Sequence, residues 1–239
     1  MFKTIGKRTS ALIKGGKEKD MQRRKNYLAA FVLFILFLAL LLAVISIDVR
    51  PIGPKGSMVG LASINEMVKD AVGYSAFWHK LTEYLGYLSL LVAAFFAAVG
   101  LKQLITRRSF FKVDGDIYLL GGFYVLVIGT YALFEKLIVN YRPMILDEGL
   151  EASFPSSHSM LVVAVMGTAA YQVSYRVHQQ TIRNLLVTLS LLVMVVMVVG
   201  RLLSGVHWFT DIVAGVVLAD AYVMLYYALV QSVVIKKKD

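Results

Sequence analysis

Three short polar clusters stand between long apolar runs over residues 135–211, and their residue types suit one kind of chemistry. The first is Lys136 with Arg142-Pro143. The second is Pro155-Ser156-Ser157-His158. The third is Arg201, then His207, then Asp211. Arginine presents a planar fork of donors that grips phosphate bidentately. An imidazole attacks phosphorus or protonates a leaving oxygen. His207 and Asp211 are four residues apart, which on a helix places them on one face. There the carboxylate would hold one ring nitrogen and leave the other free as a nucleophile. Pro155 favours a first helical turn, whose unpaired N–H groups and dipole favour an anion. The Ser156 hydroxyl adds a donor, and His158 a proton. Taken singly, the first two clusters also read as interfacial basic residues and as a serine cap beside a surface histidine. Two His, two Arg and a Lys together make a phosphate site the economical reading.

Such charges are costly beside a lipid phase unless they are paired or functional, and this chain is built for lipid. It has 239 residues, 58% of them hydrophobic, and a mean hydropathy of +0.69. Runs of about 18 or more apolar residues are long enough to cross a bilayer core of roughly 30 Å. Six runs stand out, at 28–47, 84–101, 117–134, 160–175, 185–199 and 212–235, the fourth on the short side. The expected fold is therefore an all-α bundle of six transmembrane helices. Between the first two spans, Leu61, Ile64, Val68 and Val72 recur at helical spacing, with Asn65, Glu66, Lys69 and Asp70 on the other side. This predicts a short interfacial helix within an outer loop over 48–80. Trp78 and His79 read as headgroup-level surface residues before the second span. His178 reads as a loop residue.

The net charge of +10 is placed by the membrane rather than by nucleic acid. A basic tail over 1–27 and a shorter one over 236–239 bracket a membrane domain over 28–235. With six spans, both termini share one side. That side holds 18 of the 25 Lys and Arg, and the other side holds 7. The positive-inside rule then puts the termini in the cytoplasm and all three polar clusters outside. There is no cysteine, hence no disulfide framework and no thiolate metal site. No cleavable signal is evident, since the first apolar run is too long for one.

At these residues the chain resembles the type-2 phosphatidate phosphatase family, related to bacterial acid phosphatases and vanadium haloperoxidases. That family carries Lys-x6-Arg-Pro, Pro-Ser-Gly-His and Ser-Arg-x5-His-x3-Asp. The third motif is matched in spacing by Arg201, His207 and Asp211, and the resemblance spans about residues 84–235. It implies a phosphatase acting on a lipid phosphate or pyrophosphate, without metal or cofactor. His207 would form a phosphohistidine, Asp211 would orient it and His158 would protonate the leaving group. Arg142, Arg201, Ser156, the Ser157 backbone N–H and Lys136 would hold the phosphoryl oxygens. Phosphatidate, phosphatidylglycerol phosphate and undecaprenyl pyrophosphate all fit, and a bacterial cytoplasmic membrane is the implied setting. The oligomeric state stays open. Three departures stand out. Ser157 replaces a glycine, Gly200 replaces a serine, and only five residues separate Lys136 from Arg142, so that Glu135 holds the strictly spaced position. The alternatives are a lipid phosphotransferase, an acid phosphatase acting on small phosphate esters, and a catalytically silent lipid-binding or transport protein. Asp220, an acid within the last span, favours transport.

Overall fold

The computed structural model describes the backbone of residues 2–146 and 149–236, and the expected tail residues 237–239 lie outside it. Among the described residues the regular structure is helical: α1 (Phe2–Ser46), α2 (Ala62–Val72), α3 (Ala76–Arg107), α4 (Gly115–Lys136), α5 (Ser157–Arg176), α6 (Gln180–Ser204) and α7 (Phe209–Lys236). Five stretches are long and apolar enough to cross a membrane: Asp20–Ser46, Ala76–Arg107, Gly115–Lys136, Gln180–Ser204 and Phe209–Val233. The expected fourth span, α5, is helical but falls outside that set. Its composition explains why. Ser159, Gly167, Thr168 and Gln172 dilute its hydropathy, and all are buried. A helix surrounded by other helices answers to them rather than to lipid, and small or hydroxyl residues let the backbones approach.

The helices around α5 fix the fold. α1 lies against α7, with Asn26 Nδ2 donating to Gln231 Oε1 at 3.4 Å. α5 packs on α3, α6 and α7. The core beneath the polar clusters holds Phe37, Phe123, Phe154, Met160 and Tyr226. Phe154 meets Phe37 and Phe134 at ring separations of 6.1 and 6.0 Å, a range in which tilted aromatic pairs attract. At the far end of α5, away from the clusters, Arg176 pairs with Asp116 at 2.5 Å, and Gln172 Nε2 donates to the same carboxylate at 3.1 Å. Arg107 holds Asp114 at 2.7 Å. Burial works to raise the Asp114 pKa, but Arg107, Gln103 and Arg176 hold it below the usual carboxylate range.

The basic segment is helical from Phe2, continuous with the first span. One expectation needs correction. In α2 the assumed polar side is partly the packed side. Asn65 is fully buried, and its Nδ2 donates to Gly60 O at 2.9 Å and Thr210 Oγ1 at 3.0 Å. Ile64 and Met67 are exposed, as is Asp70 of the expected polar side. Periodicity saw the amphipathic helix but could not tell which face the rest of the chain would claim.

Candidate active site

Five segments bring the polar clusters to one end of the bundle: the starts of α3, α5 and α7, the end of α6, and the connection 137–156. The local reasons are legible. Gly205 closes α6 at φ 68°, the left-handed conformation that glycine adopts at no steric cost. A side chain there would strike the Gly73 backbone, so the α6–α7 turn can press onto the α2–α3 turn. Gly215 on α7 lets that helix approach the start of α5, since a Cβ would lie 2.7 Å from Ser156 O. Ser156 N–H then donates to Asp211 O at 2.9 Å. Residues 140–142 pair with 151–153, with Arg142 N–H donating to Glu151 O at 3.0 Å and Ser153 N–H to Asn140 O at 3.1 Å. Trp208 Nε1–H fastens it to α7 through Tyr141 O at 2.7 Å.

His207 and Asp211 do not form the helical pair expected of their spacing. His207 lies in the turn before α7, and its Nδ1 is 3.9 Å from Asp211 Oδ2. Ser153 stands between them. Its hydroxyl donates to Asp211 Oδ2 at 2.5 Å, and His207 Nδ1 lies 3.0 Å from Ser153 Oγ and 3.2 Å from Ser153 O. An ionised carboxylate only accepts, so the serine proton is committed to Asp211. Both serine oxygens then face His207 Nδ1 as acceptors, and the proton of the neutral ring belongs on Nδ1. This assigns the tautomer with Nε2 unprotonated. That nitrogen is buried without a partner. Asp211 is completed by Asn140 Nδ2–H at 3.1 Å and by Trp208 N–H at 3.0 Å, an acid in the first turn reaching back to the residue before the helix. Burial first, then Arg201, Arg142 and His158, push the His207 pKa well below the usual imidazole value. His207, Arg201, Arg142 and His158 thus gather within electrostatic reach of one another.

Arg201 is fully buried. Its Nη1 donates to Thr82 Oγ1 at 2.9 Å and approaches His79 Nδ1 at 3.4 Å, and its Nη2 lies 3.2 Å from His158 Nδ1. A guanidinium only donates, so His158 Nδ1 is an acceptor and its proton resides on Nε2. Of five N–H bonds on Arg201, Nε–H is buried without a partner. Arg142 Nε sits 3.1 Å from Glu151 Oε2 but outside hydrogen-bond alignment. Buried polar atoms are seldom left unpaired. Here an imidazole lone pair and two guanidinium donors are left so, the complement of a phosphoryl group.

The remaining expected residues divide. Ser156 caps α5, fully buried, with its hydroxyl 3.1 Å from Ser159 Oγ rather than turned to another cluster. Ser157 begins α5 and, with His158 and Glu83, lines a cavity of about 280 Å3 between α3 and α4. Lys136 is exposed on the last turn of α4 and forms no hydrogen bond or ion pair among the described residues. Glu135 lines a small cavity with Ser153 and Ser157. His178 is a loop residue, as expected. His79, read from sequence as surface, is in the site. Gly200, in place of a serine, meets Trp78 and Thr82, and a Cβ would lie 2.9 Å from Thr82 Cγ2. Ser153, Asn140, Thr82 and His79 were missed because no motif spacing marks them. The nearest signal is the position of Ser153 two residues before Pro155.

The profile of the PAP2 superfamily matches residues 83–234. The chain belongs to that family. PAP2 is the type-2 phosphatidic acid phosphatase family to which the three motifs pointed, and the matched stretch contains Arg142, His158, Arg201, His207 and Asp211. A crystal structure titled as the first transmembrane PAP2-type phosphatidylglycerolphosphate phosphatase from Bacillus subtilis is similar at a TM-score of 0.58. Its identity is 21%, over 84% of this chain and 94% of that one, and the likeness is one of fold. No curated protein matches the chain significantly. With five apolar spans inside a PAP2 chain, this is an integral membrane protein.

Proposed function

We propose that the chain is a lipid phosphatase working through a phosphohistidine. The observation that carries this is the unpartnered, buried Nε2 of His207 beside Arg201 and Arg142, whose Nε–H donors are also unpartnered. His207 Nε2 attacks phosphorus, the P–O bond to the leaving group breaks, and His158 Nε2–H supplies the proton to that oxygen. Water then attacks phosphorus and gives its proton back to His158, the P–N bond to His207 Nε2 breaks, and inorganic phosphate leaves. The phosphoryl charge spreads over three oxygens, so a preorganised cage of arginine donors supplies much of the rate. The cavity beside His158 is apolar, bounded by Gly86, Leu90, Val127 and Leu161, and suits the stem of a lipid leaving group.

Six crossings, termini in the cytoplasm and an outward site complete the reading, in a bacterial cytoplasmic membrane. Asp211 is saturated by three donors from the protein, which favours a site working without metal. The test is phosphate release in detergent from phosphatidate, phosphatidylglycerol phosphate and undecaprenyl pyrophosphate, in the presence of chelator. Turnover is expected for at least one lipid. It should be inhibited by vanadate and abolished in His207→Asn. Release that persists in His207→Asn, or that collapses in chelator and returns with Mg2+, would overturn the mechanism. A transfer of phosphate to a second lipid with none to water would favour the phosphotransferase.

A further inference from the structure

α3 carries a second histidine and carboxylate into the site. His79 Nδ1 lies 3.4 Å from Arg201 Nη1, and its Nε2 lies 3.4 Å from Glu83 Oε1, one helical turn on. Thr82, between them in sequence, takes the other Nη1–H at 2.9 Å while its own hydroxyl is turned back to Trp78 O and His79 O. The acceptors facing Nη1 therefore all come from one turn of α3. Both, His79 and Thr82, precede residue 83, where the match to the family begins. Nothing in the three motifs requires them.

We infer that His79 is a positioning residue for Arg201, with its protonated nitrogen turned towards Glu83. This rests on the phosphate site proposed above and names a part that the motifs do not. A guanidinium only donates, so His79 Nδ1 accepts from Nη1–H and the His79 proton belongs on Nε2, where the Glu83 carboxylate 3.4 Å away favours it by charge. A guanidinium on a long, flexible stem has several rotamers, and the end of α6 alone does not choose among them. With Nη1 held by α3 and Nη2 by His158, the plane of the guanidinium is fixed from two sides. The unpartnered Nε–H is then aimed without reorganisation when phosphate arrives, which is where preorganised donors gain their strength. Holding His158 through the same guanidinium couples the anion-binding group to the proton donor. A merely structural His79 would be replaceable by any side chain of its size.

The experiment compares His79→Asn, His79→Leu and Glu83→Gln in the full chain in detergent. Asn keeps an acceptor near the Nδ1 position, Leu keeps bulk without one, and Gln at 83 keeps an acceptor for Nε2–H. Two readouts are taken: kcat and KM for lipid phosphate, and the affinity for orthovanadate by thermal shift. Losing one hydrogen bond to a charged group weakens an interaction by roughly 10- to 100-fold. His79→Leu is expected to fall by about that factor in kcat/KM and in vanadate affinity, with its ligand-free Tm near the native value. His79→Asn and Glu83→Gln should stay within about 3-fold of native. Native behaviour in His79→Leu overturns the inference, as do equal losses in Leu and Asn. If the native chain releases phosphate from no lipid yet binds vanadate, and His79→Leu binds it more weakly, the phosphatase reading fails and the positioning role stands. If the native chain neither turns over nor binds vanadate, both fail.

Discussion

Ser153 changes the meaning of the His207–Asp211 pair. At 3.9 Å the carboxylate is too far for a direct hydrogen bond to the ring, so its hold passes through a serine hydroxyl at 2.5 and 3.0 Å. Ser153→Ala should lower kcat by roughly 10- to 100-fold, the scale of one lost hydrogen bond to a charged group. KM should change little, because the serine holds no phosphoryl oxygen. A native kcat would show that Asp211 closes the gap unaided. The depressed pKa of His207 gives a second expectation. The nucleophile must be neutral, and a lowered pKa keeps it neutral as pH falls through 6.5. With the ionisations of the substrate's phosphate and of Asp211 divided out, kcat/KM should show no acid limb from His207. A limb at 6.5 that persists in Asp211→Asn would mean that the ring is solvated in the working enzyme. Neither Ser153 nor the tautomer was legible in the sequence. The spacing of Arg201, His207 and Asp211 was, because all three lie on one continuous helix–turn–helix stretch. Ser153 comes from a segment 54 residues away, placed by backbone pairing that no side-chain pattern announces.

The helix ends decide which residues of a cluster reach the site. α4 runs regularly to Lys136, and one residue along a helix turns a side chain by about 100°. The structure has Lys136 exposed and Glu135 beside the cavity that Ser153 and Ser157 line. Lys136→Ala should therefore cost less than about 3-fold in kcat/KM, whereas Arg142→Ala should cost well over 100-fold. Equal losses would show that the helix end rewinds to bring Lys136 in. α3 contributes in the opposite way, through what it lacks. A Cβ on Gly86 would lie 3.1 Å from His158 Cδ2, closer than an aromatic carbon tolerates without moving. Gly86→Ala should tilt the proton donor, slowing a lipid alkoxide leaving group more than an aryl phosphate whose leaving group needs no proton. Equal slowing of both substrates would place the effect elsewhere than at His158. The second-span pattern marks the apolar stretch of α3 but not its role. Trp78 and His79 lie before the apolar run begins and read as interface, and no sequence signal marks Thr82.

At the scale of the whole molecule, the most deeply packed long helix, α5, is the one that composition alone does not mark as a span. α5 carries Ser157 and His158 at one end and Arg176 at the other, and its middle is buried among α3, α6 and α7. Hydropathy reports contact with lipid, and α5 has little, which is why the expected fourth span reads short. Its 20 residues are nevertheless about 30 Å long, enough to cross the hydrocarbon core. If α5 crosses, Ile145 and His178 lie on opposite sides of the membrane, with the active site on the side of Ile145. The chain contains no cysteine, so Ile145→Cys and His178→Cys each create a single label site at an exposed position outside the helices. In intact cells an impermeant maleimide should modify the first and spare the second until the membrane is permeabilised. Asp20→Cys should behave as His178→Cys does, because six crossings return the chain to the side on which it began. Labelling of Ile145→Cys and His178→Cys from the same side would show that α5 is re-entrant. It would also separate Arg176, at the far end of α5, from the cytoplasm, and with that the basic asymmetry of 18 to 7 would lose its force as evidence for an outward-facing site.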